Sequence, residues 1–563
     1  MNYAIYAACV GDTVEYRYTH DIRVDRSFYP PDCKLVQISL YMPLGYAEYL
    51  CREVCSDSKI SLRRWFKNPV ENIIRDKKEK IRKRIEKMGL RTCQLDQKGY
   101  FIDEKLQDEI LRKVRGKALL LDEVKSLLGC EEKALLDNLQ ILFLGGKLEI
   151  MPSIRIQENG YICQRCGCKG AIRHRCEKCE NECAYCDQCL IMGRALLCQP
   201  YILCPGEQKL GSHRDVQLIM PVKLTPAQQH ASDEVKEFIR GTEKKALVWA
   251  ACGAGKTEVT FEGIKEALEW GNRVLYAVPR RDVVIEISER FKRAFPGEKI
   301  AVLYGGSGKS TADFTVATTH QVLRYYREFD LVILDEVDAF PYDGNDMLEM
   351  AVKRSMKQDA KLLYMTATPP RHLYRDYKRK KIKGILIPAR HHGHPLPVPT
   401  ILRSNINEDI NILPEDIYKF IEKCVKLNRR LIIFVPTVNL SKKVADAVKI
   451  IGIDADCIYS KDPERDEKRR KFYTGQLPVI VSTTVLERGI TVEGVQVMVL
   501  FADDNSVFDE RTLVQMAGRV GRTEGCPSGE VLFVARNITR EMETAVEMIN
   551  HMNEIARRKG YVV

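Results

Sequence analysis

A chain of 563 residues, 45% of them hydrophobic, is long enough for about three or four domains that each bury a core, so nothing here needs cross-links to fold. The longest apolar runs, 431–438 and 497–502, are strand-length, far below the roughly 18 to 20 residues of a membrane helix, and the first residues lack a secretion-signal pattern. The chain is therefore expected in the cytosol, where clustered cysteines bind metal more often than they pair, and its net charge of +12 fits steering of an acidic polymer.

Residues 1–105 give mixed strand and helix signals, an α+β region without a usable motif. Within it, 59–88 holds twelve Lys or Arg against four acidic residues. Ile74, Ile81, Ile85 and Met88 recur there at helical spacing, so the charges coat the outside of one helix. A solvated face and a phosphate-attracting face are equal readings of it. Residues 106–157 carry two short helical patterns, a turn at Gly145 and Gly146 and two strand-like pieces. That order suits a small winged-helix-like module, in contact with DNA or purely structural.

Residues 158–205 form a cysteine module, with eight cysteines between 163 and 189. A reduced compartment disfavours disulfides and leaves zinc or an iron-sulfur cluster. Cys163-x₂-Cys166 and Cys186-x₂-Cys189 are spaced like two knuckles, each giving two thiolates to one tetrahedral Zn²⁺. The surplus cysteines, Cys168, Cys176, Cys179 and Cys183, make a second tetrad, or Cys176 and Cys179 replace one knuckle; His174 reads as a solvated basic-loop residue. One zinc or two stays open at this level.

From residue 224 short apolar runs alternate with helical patterns, which argues for parallel sheets covered on both faces. The alternation pauses over 387–404, rich in proline, a linker, so two α/β domains lie in tandem at 224–386 and 405–563. In the first, 248–258 places a strand, a small-residue turn and a helix start. Gly253, Ala254, Gly255, Lys256, Thr257 and Glu258 form a phosphate loop there, whose backbone N–H groups cradle phosphates while Lys256 reaches the β/γ-phosphates and Thr257 ligates Mg²⁺. Ala250 stands where the strict pattern has glycine. The strand ending in Asp335 and Glu336 supplies the paired carboxylates, Asp335 for the metal and Glu336 for the attacking water. The stretch 304–310 imitates a phosphate loop but runs into a strand, so it reads as a surface loop. Near the C-terminus Arg519 and Arg522 sit three apart, on one face if helical, placed to stabilise phosphoryl-transfer charge.

The ordered series 224–229, 250–257, 277–283, 317–321, 335–338, 366–368, 431–437, 482–490 and 515–522 resembles the motifs of superfamily 2 helicases and translocases. The resemblance implies two RecA-like lobes binding ATP and Mg²⁺. It further implies that Gln228 reads adenine, that Gly489 lines the nucleotide cleft, and that Thr366 and Thr368 couple hydrolysis to movement. Arg280, Thr318, His320 and Thr484 would face the nucleic-acid strand. Cys252, inside the phosphate loop, departs from the pattern and places a thiol near Lys256, for which sensitivity to oxidation is the lesser reading. Iron-sulfur helicases carry their cysteines within the first lobe, which leaves zinc ahead for the module here.

Within that superfamily, 183–194, 317–326, 334–342, 392–399 and 482–491 resemble the late competence protein ComFA family. The resemblance implies a single-stranded-DNA-stimulated ATPase that draws transforming DNA into the cytosol. It would work at the inner face of the membrane beside an uptake channel and a phosphoribosyltransferase-like partner, as a monomer or an oligomer. The alternatives are a primosomal-type restart helicase, an RNA helicase, and a zinc-dependent nucleic-acid-binding scaffold without motor activity. The first carries its cysteine module inside the second half of the motor, whereas 401–563 holds only Cys424, Cys457 and Cys526.

Overall fold

The computed structural model describes residues 2–562 apart from 11–12, 56–68, 96–98, 208–212, 308–310, 408–409, 411 and 487–491. Its first large sheet has seven parallel strands in the spatial order Ile300–Leu303, Phe314–Thr318, Val274–Val278, Phe329–Asp335, Met356–Thr366, Lys245–Ala250 and Lys383–Ile387. Helices cover both faces, which is why Val274–Val278 and Phe314–Thr318 are buried at every position and read as unbroken apolar runs. The second sheet has six parallel strands, ordered Thr400–Arg403, Val531–Ala535, Gln496–Leu500, Leu431–Phe434, Val479–Ser482 and Ala455–Ile458. Both are RecA-like lobes. The stretch read as a linker is shorter than expected, because Thr400–Arg403 pairs with Leu532–Ala535 as an edge strand of the second lobe.

The winged-helix reading gains a third strand from beyond the cysteines. Helix Glu104–Val114, strand Lys117–Leu120, helices Leu121–Leu128 and Glu132–Leu144 and strand Glu149–Pro152 follow in order, and Pro200–Cys204 returns to lie between the two strands. Ile110, Val114, Leu119, Leu135, Leu139 and Ile202 close one core. The cysteine module is thus inserted between Glu149–Pro152 and Pro200–Cys204, and the boundary at residue 157 falls inside a single fold. The helix that would enter a DNA groove, Glu132–Leu144, is covered by the N-terminal region. Asp137 accepts from His20 Nε2 and Phe101 N, both at 2.8 Å, Asn138 Oδ1 accepts from Asp103 N at 2.9 Å, and Gln140 donates to Asp25 at 3.0 Å. DNA contact through that helix is excluded in this arrangement.

Helix Pro69–Met88 carries the described part of the basic stretch; 59–68 lie outside the described residues. Ile74 and Ile81 are buried and Ile85 packs against the same core, as their spacing predicts, whereas Met88 is exposed. Several of its charges pair along the helix, Lys80 with Asp76 at 2.8 Å and Arg82 with Glu79 at 2.9 Å, as on a solvated face.

Candidate nucleotide cleft and cysteine tetrads

The phosphate loop leaves strand Lys245–Ala250 and enters the helical turn Lys256–Val259. Gly253 and Gly255 adopt φ of 82° and 73°, and a Cβ on Gly255 would meet Gln228 Nε2 at 2.5 Å, so the turn requires glycine there. Gln228 is locked by a capping box with Thr225 and donates to Ala254 O at 2.8 Å, so its amide braces the loop directly. Thr257 is buried, and Glu258 pairs with Arg290 at 3.3 Å.

Lys256 Nζ lies 2.8 Å from Asp335 Oδ1 across the cleft. Burial pulls the Lys256 ammonium down, but Asp335, Glu336 and the hydrogen bond to Asp335 outweigh it and hold the group above its ordinary value. Asp335 Oδ2 accepts from Tyr276 OH at 2.8 Å, a contact the sequence hid, since Tyr276 sits in a strand that reads as uniform core. Burial, then Asp335, pushes the Tyr276 phenol well up, so it remains a donor that aims the carboxylate. Glu336 follows at φ 53°, a left-handed turn at the strand end. Asp338 accepts from Thr366 Oγ1 at 2.6 Å and from Thr368 Oγ1 at 2.7 Å, and Thr368 Oγ1 accepts from Gln515 Nε2 of the second lobe at 3.2 Å. The two threonines, one carboxylate and the second lobe form a continuous hydrogen-bonded chain.

Arg519 and Arg522 do not share a helix face: helix Glu510–Ala517 ends before them, Arg519 lies in the turn that follows and Arg522 just beyond it. Arg519 is buried. Arg522 Nε donates to Gly518 O at 2.7 Å, and its side chain lies over Gly253, 3.8 Å from where a Cβ there would be. A residue unremarked in the sequence holds the two motifs together. Arg390, 2% exposed, donates from Nε to Cys252 O at 2.9 Å, from Nη1 to Val520 O at 2.6 Å and Gly521 O at 2.5 Å, and from Nη2 to Gly518 O at 3.0 Å. Cys252 is closed off from solvent. It is buried, its Sγ 3.6 Å from Gln515 Oε1, and Gly518 packs so tightly on it that a Cβ there would stand 2.8 Å from the sulfur. Arg371 and Glu510 add a bidentate pair between the lobes at 3.0 and 3.1 Å.

The residues expected at the strand face lie beyond the carboxyl ends of their strands. Arg280 follows Val274–Val278 and is exposed, Thr318 ends Phe314–Thr318 and is buried, His320 is two residues on, and Thr484 follows Val479–Ser482. Burial lowers the His320 pKa below its ordinary value. Gly489 lies outside the described residues. The loop at 304–310 joins strand Ile300–Leu303 to strand Phe314–Thr318, with 308–310 outside the described residues.

Two cysteine tetrads occupy the module. The Sγ atoms of Cys163, Cys166, Cys186 and Cys189 lie within 4.8 Å of one another, all four residues buried. Cys163 and Cys189 are 3.8 Å apart and Cys166 and Cys186 3.4 Å, near the roughly 3.8 Å that tetrahedral Zn–S bonds of about 2.3 Å impose. Hydrogen bonding with Cys163 and Cys166 holds the Cys189 thiol far below its ordinary value, while hydrogen bonding with Cys163 pushes Cys166 far above; four thiols this close do not ionise together without a cation. Arg165, 2% exposed, donates to Cys189 Sγ at 3.1 Å and to the carbonyls of Cys189 and Met192 at 2.7 Å, a buried cation beside the thiolates.

The second tetrad is Cys176, Cys179, Cys183 and Cys198, so Cys198 takes the place expected for Cys168. Cys168 closes the first knuckle, its carbonyl accepting from Cys163 N at 2.9 Å, and its sulfur stays beside Cys186 and Asp187. The hairpin of Ile172–Arg175 and Glu182–Tyr185 carries Cys183 toward Cys198 instead, and Cys176 and Cys198 are 3.9 Å apart. His174 lies on that hairpin, edge-on to Tyr185.

Three family descriptions match the chain: competence protein ComFA N-terminal domain over 104–203, type III restriction enzyme res subunit over 221–371, and helicase conserved C-terminal domain over 413–524. The two helicase-type domains are those of a nucleotide-hydrolysing enzyme. A structure of Mycobacterium smegmatis helicase Lhr bound to ssDNA and AMP-PNP is 19% identical, with a TM-score of 0.42 covering 59% of this chain and 48% of that one. Competence protein ComFA of Streptococcus pneumoniae is 33% identical over 72% of this chain and 94% of its own. Competence protein ComFA of Bacillus subtilis is 38% identical over 73% of this chain and 90% of its own. At that identity and coverage, the chain belongs to the competence protein ComFA family.

Proposed function

We propose that this protein is an ATP-driven translocase of single-stranded DNA that draws transforming DNA into the cell. The observation that carries the reading is the convergence on one cleft of Lys256, Asp335 and the second lobe's Arg522, with a hydrogen-bonded relay from Asp338 through Thr366 and Thr368 to Gln515. Lys256 and the loop amides of Gly253, Ala254 and Gly255 would hold the ATP phosphates, Thr257 and Asp335 the Mg²⁺, and Gln228 the adenine. Bound Mg²⁺ supplies charge neutralisation at the γ-phosphate. Glu336 takes the proton of the attacking water, and Arg519 and Arg522 stabilise the charge that develops during transfer. Arg280, Thr318, His320 and Thr484 touch the strand, while Gly489 completes the nucleotide cleft. Each tetrad holds one Zn²⁺, which fixes the wing position of the winged-helix fold as a rigid accessory surface. The membrane uptake channel and a phosphoribosyltransferase-like protein are the partners, and the site of action is the cytosolic face of the membrane. No helix among the described residues is long and apolar enough to cross a membrane, so that association would be peripheral.

The test is phosphate release by the purified protein with single-stranded DNA, duplex DNA and RNA. Single-stranded DNA is expected to stimulate most, and Lys256→Ala to abolish turnover. Stimulation by RNA alone would overturn the uptake reading.

A further inference from the structure

The loop after the metal carboxylates contains one side chain whose exposure its neighbours do not share. Val337, Ala339 and Tyr342 are buried, while Phe340 among them is 84% exposed. The loop backbone is pinned on both sides of it, Ala339 N donating to Glu336 O and Tyr342 N to Ala339 O, both at 2.9 Å. A scattered apolar residue on a surface needs no explanation. This one stands at a position with chemistry around it.

The strand order of the first lobe sets that position. Phe314–Thr318, Val274–Val278, Phe329–Asp335 and Met356–Thr366 are consecutive neighbours in a parallel sheet, so the loops at their carboxyl ends share one edge. Those loops and the helices that follow them carry His320, then Arg280 and Arg281, then Phe340, then Arg371 and His372, with Arg375 one turn on. Arg280, Arg281, Arg371, His372 and Arg375 are exposed. Beside the Phe340 loop, a cleft of about 600 Å³ is lined by Asp343, Arg371, His372, Arg375, Asp509 and Arg511; Asp343 and Asp509 pair with Arg511 and Arg371 pairs with Glu510, and Arg375 adds a further exposed cation. An aromatic ring flanked by cations along one edge matches the two elements of sequence-independent single-strand binding, a charged track for phosphates and a face for a base. Asp338, two residues before Phe340, holds Thr366 and Thr368.

We propose that Phe340 stacks on a base of the bound strand and passes strand occupancy through Asp338 to the threonines and the second lobe. The proposal rests on the single-strand motor reading above and adds the contact that senses the strand. It is tested with an oligothymidine strand of about 20 nucleotides and the same strand made abasic, on the full-length protein. Phe340→Ala is expected to weaken oligothymidine binding about fivefold or more, and to lower DNA stimulation relative to its own rate without DNA. On the abasic strand the variant and the parent should bind alike. Phe340→Trp should restore affinity, with indole fluorescence quenched by oligothymidine and not by the abasic strand. Equal loss on both strands, unchanged affinity in Phe340→Ala, or an unquenched Trp would overturn the stacking role while leaving the motor reading intact. A parent protein that neither binds nor is stimulated by single strands would overturn both.

Discussion

Arg390 is the most exacting test of how the lobes are joined. Its four hydrogen bonds run to Cys252 in the phosphate loop and to Gly518, Val520 and Gly521 in the arginine motif, so Arg390→Met unpins one from the other. Charge-assisted bonds contribute about 1.5–3 kcal/mol each, but four around one guanidinium do not add. Burial, then the nearby Arg522 charge, pulls the Arg390 guanidinium down to about 10, a cost of roughly 3 kcal/mol that the variant recovers. The net loss expected for the closed arrangement is about 3 kcal/mol, close to a 100-fold fall in kcat/KM for ATP. Arg390→Lys, with one ammonium in place of a planar fork, should fall about tenfold. Steady-state phosphate release with saturating single-stranded DNA reads both, and small-angle scattering with a non-hydrolysable nucleotide should show a more open particle. Thermal melting separates this from global unfolding. If a folded Arg390→Met enzyme keeps kcat and KM within about twofold, the residue is a passive filler and does not join the lobes.

Three further outcomes are expected. Asp338→Ala removes the acceptor of both Thr366 and Thr368, and should cut DNA-stimulated turnover about tenfold or more with a smaller change in the KM for ATP; an equal rise in KM with kcat unchanged would argue against a relay. Cys198→Ser should lower zinc by one atom per chain in elemental analysis of purified protein, whereas Cys168→Ser should leave it unchanged. The reverse result would restore the grouping read from spacing. Arg165→Gln removes the buried cation at Cys189 and should speed zinc release to a chelator about 10- to 100-fold, with Arg165→Lys intermediate.

The motor was legible because its parts are local. A phosphate loop is a turn plus a helix start, and a strand ending in two carboxylates is one short segment, so Lys256, Asp335 and Glu336 declare themselves by spacing and by order along the chain. Tyr276 and Arg390 did not. One is an aromatic in a buried strand and the other an arginine in a proline-rich stretch, and neither type nor neighbourhood distinguishes them until the fold brings Asp335 within 2.8 Å of the first and Cys252 O within 2.9 Å of the second. The knuckle spacing identified the first tetrad for the same local reason. Cys198 lay outside the cluster by sequence distance, and only the hairpin between residues 172 and 185 delivers Cys183 to it.

By itself, then, the sequence determined two parallel-sheet lobes, their nucleotide-hydrolysing character and a module of clustered cysteines, because periodicity, turn residues and cysteine spacing act over a few residues. The tertiary structure alone decided that the cysteine module is inserted between the second and third strands of the small helix-and-strand fold, that this fold's helix Glu132–Leu144 is covered, and which eight thiols form the tetrads. These depend on contacts between segments far apart in the chain, such as Asp137 with His20 or Pro200–Cys204 with Lys117–Leu120. Such contacts are set by the burial of complementary faces, for which no short stretch of residues carries the partner's address.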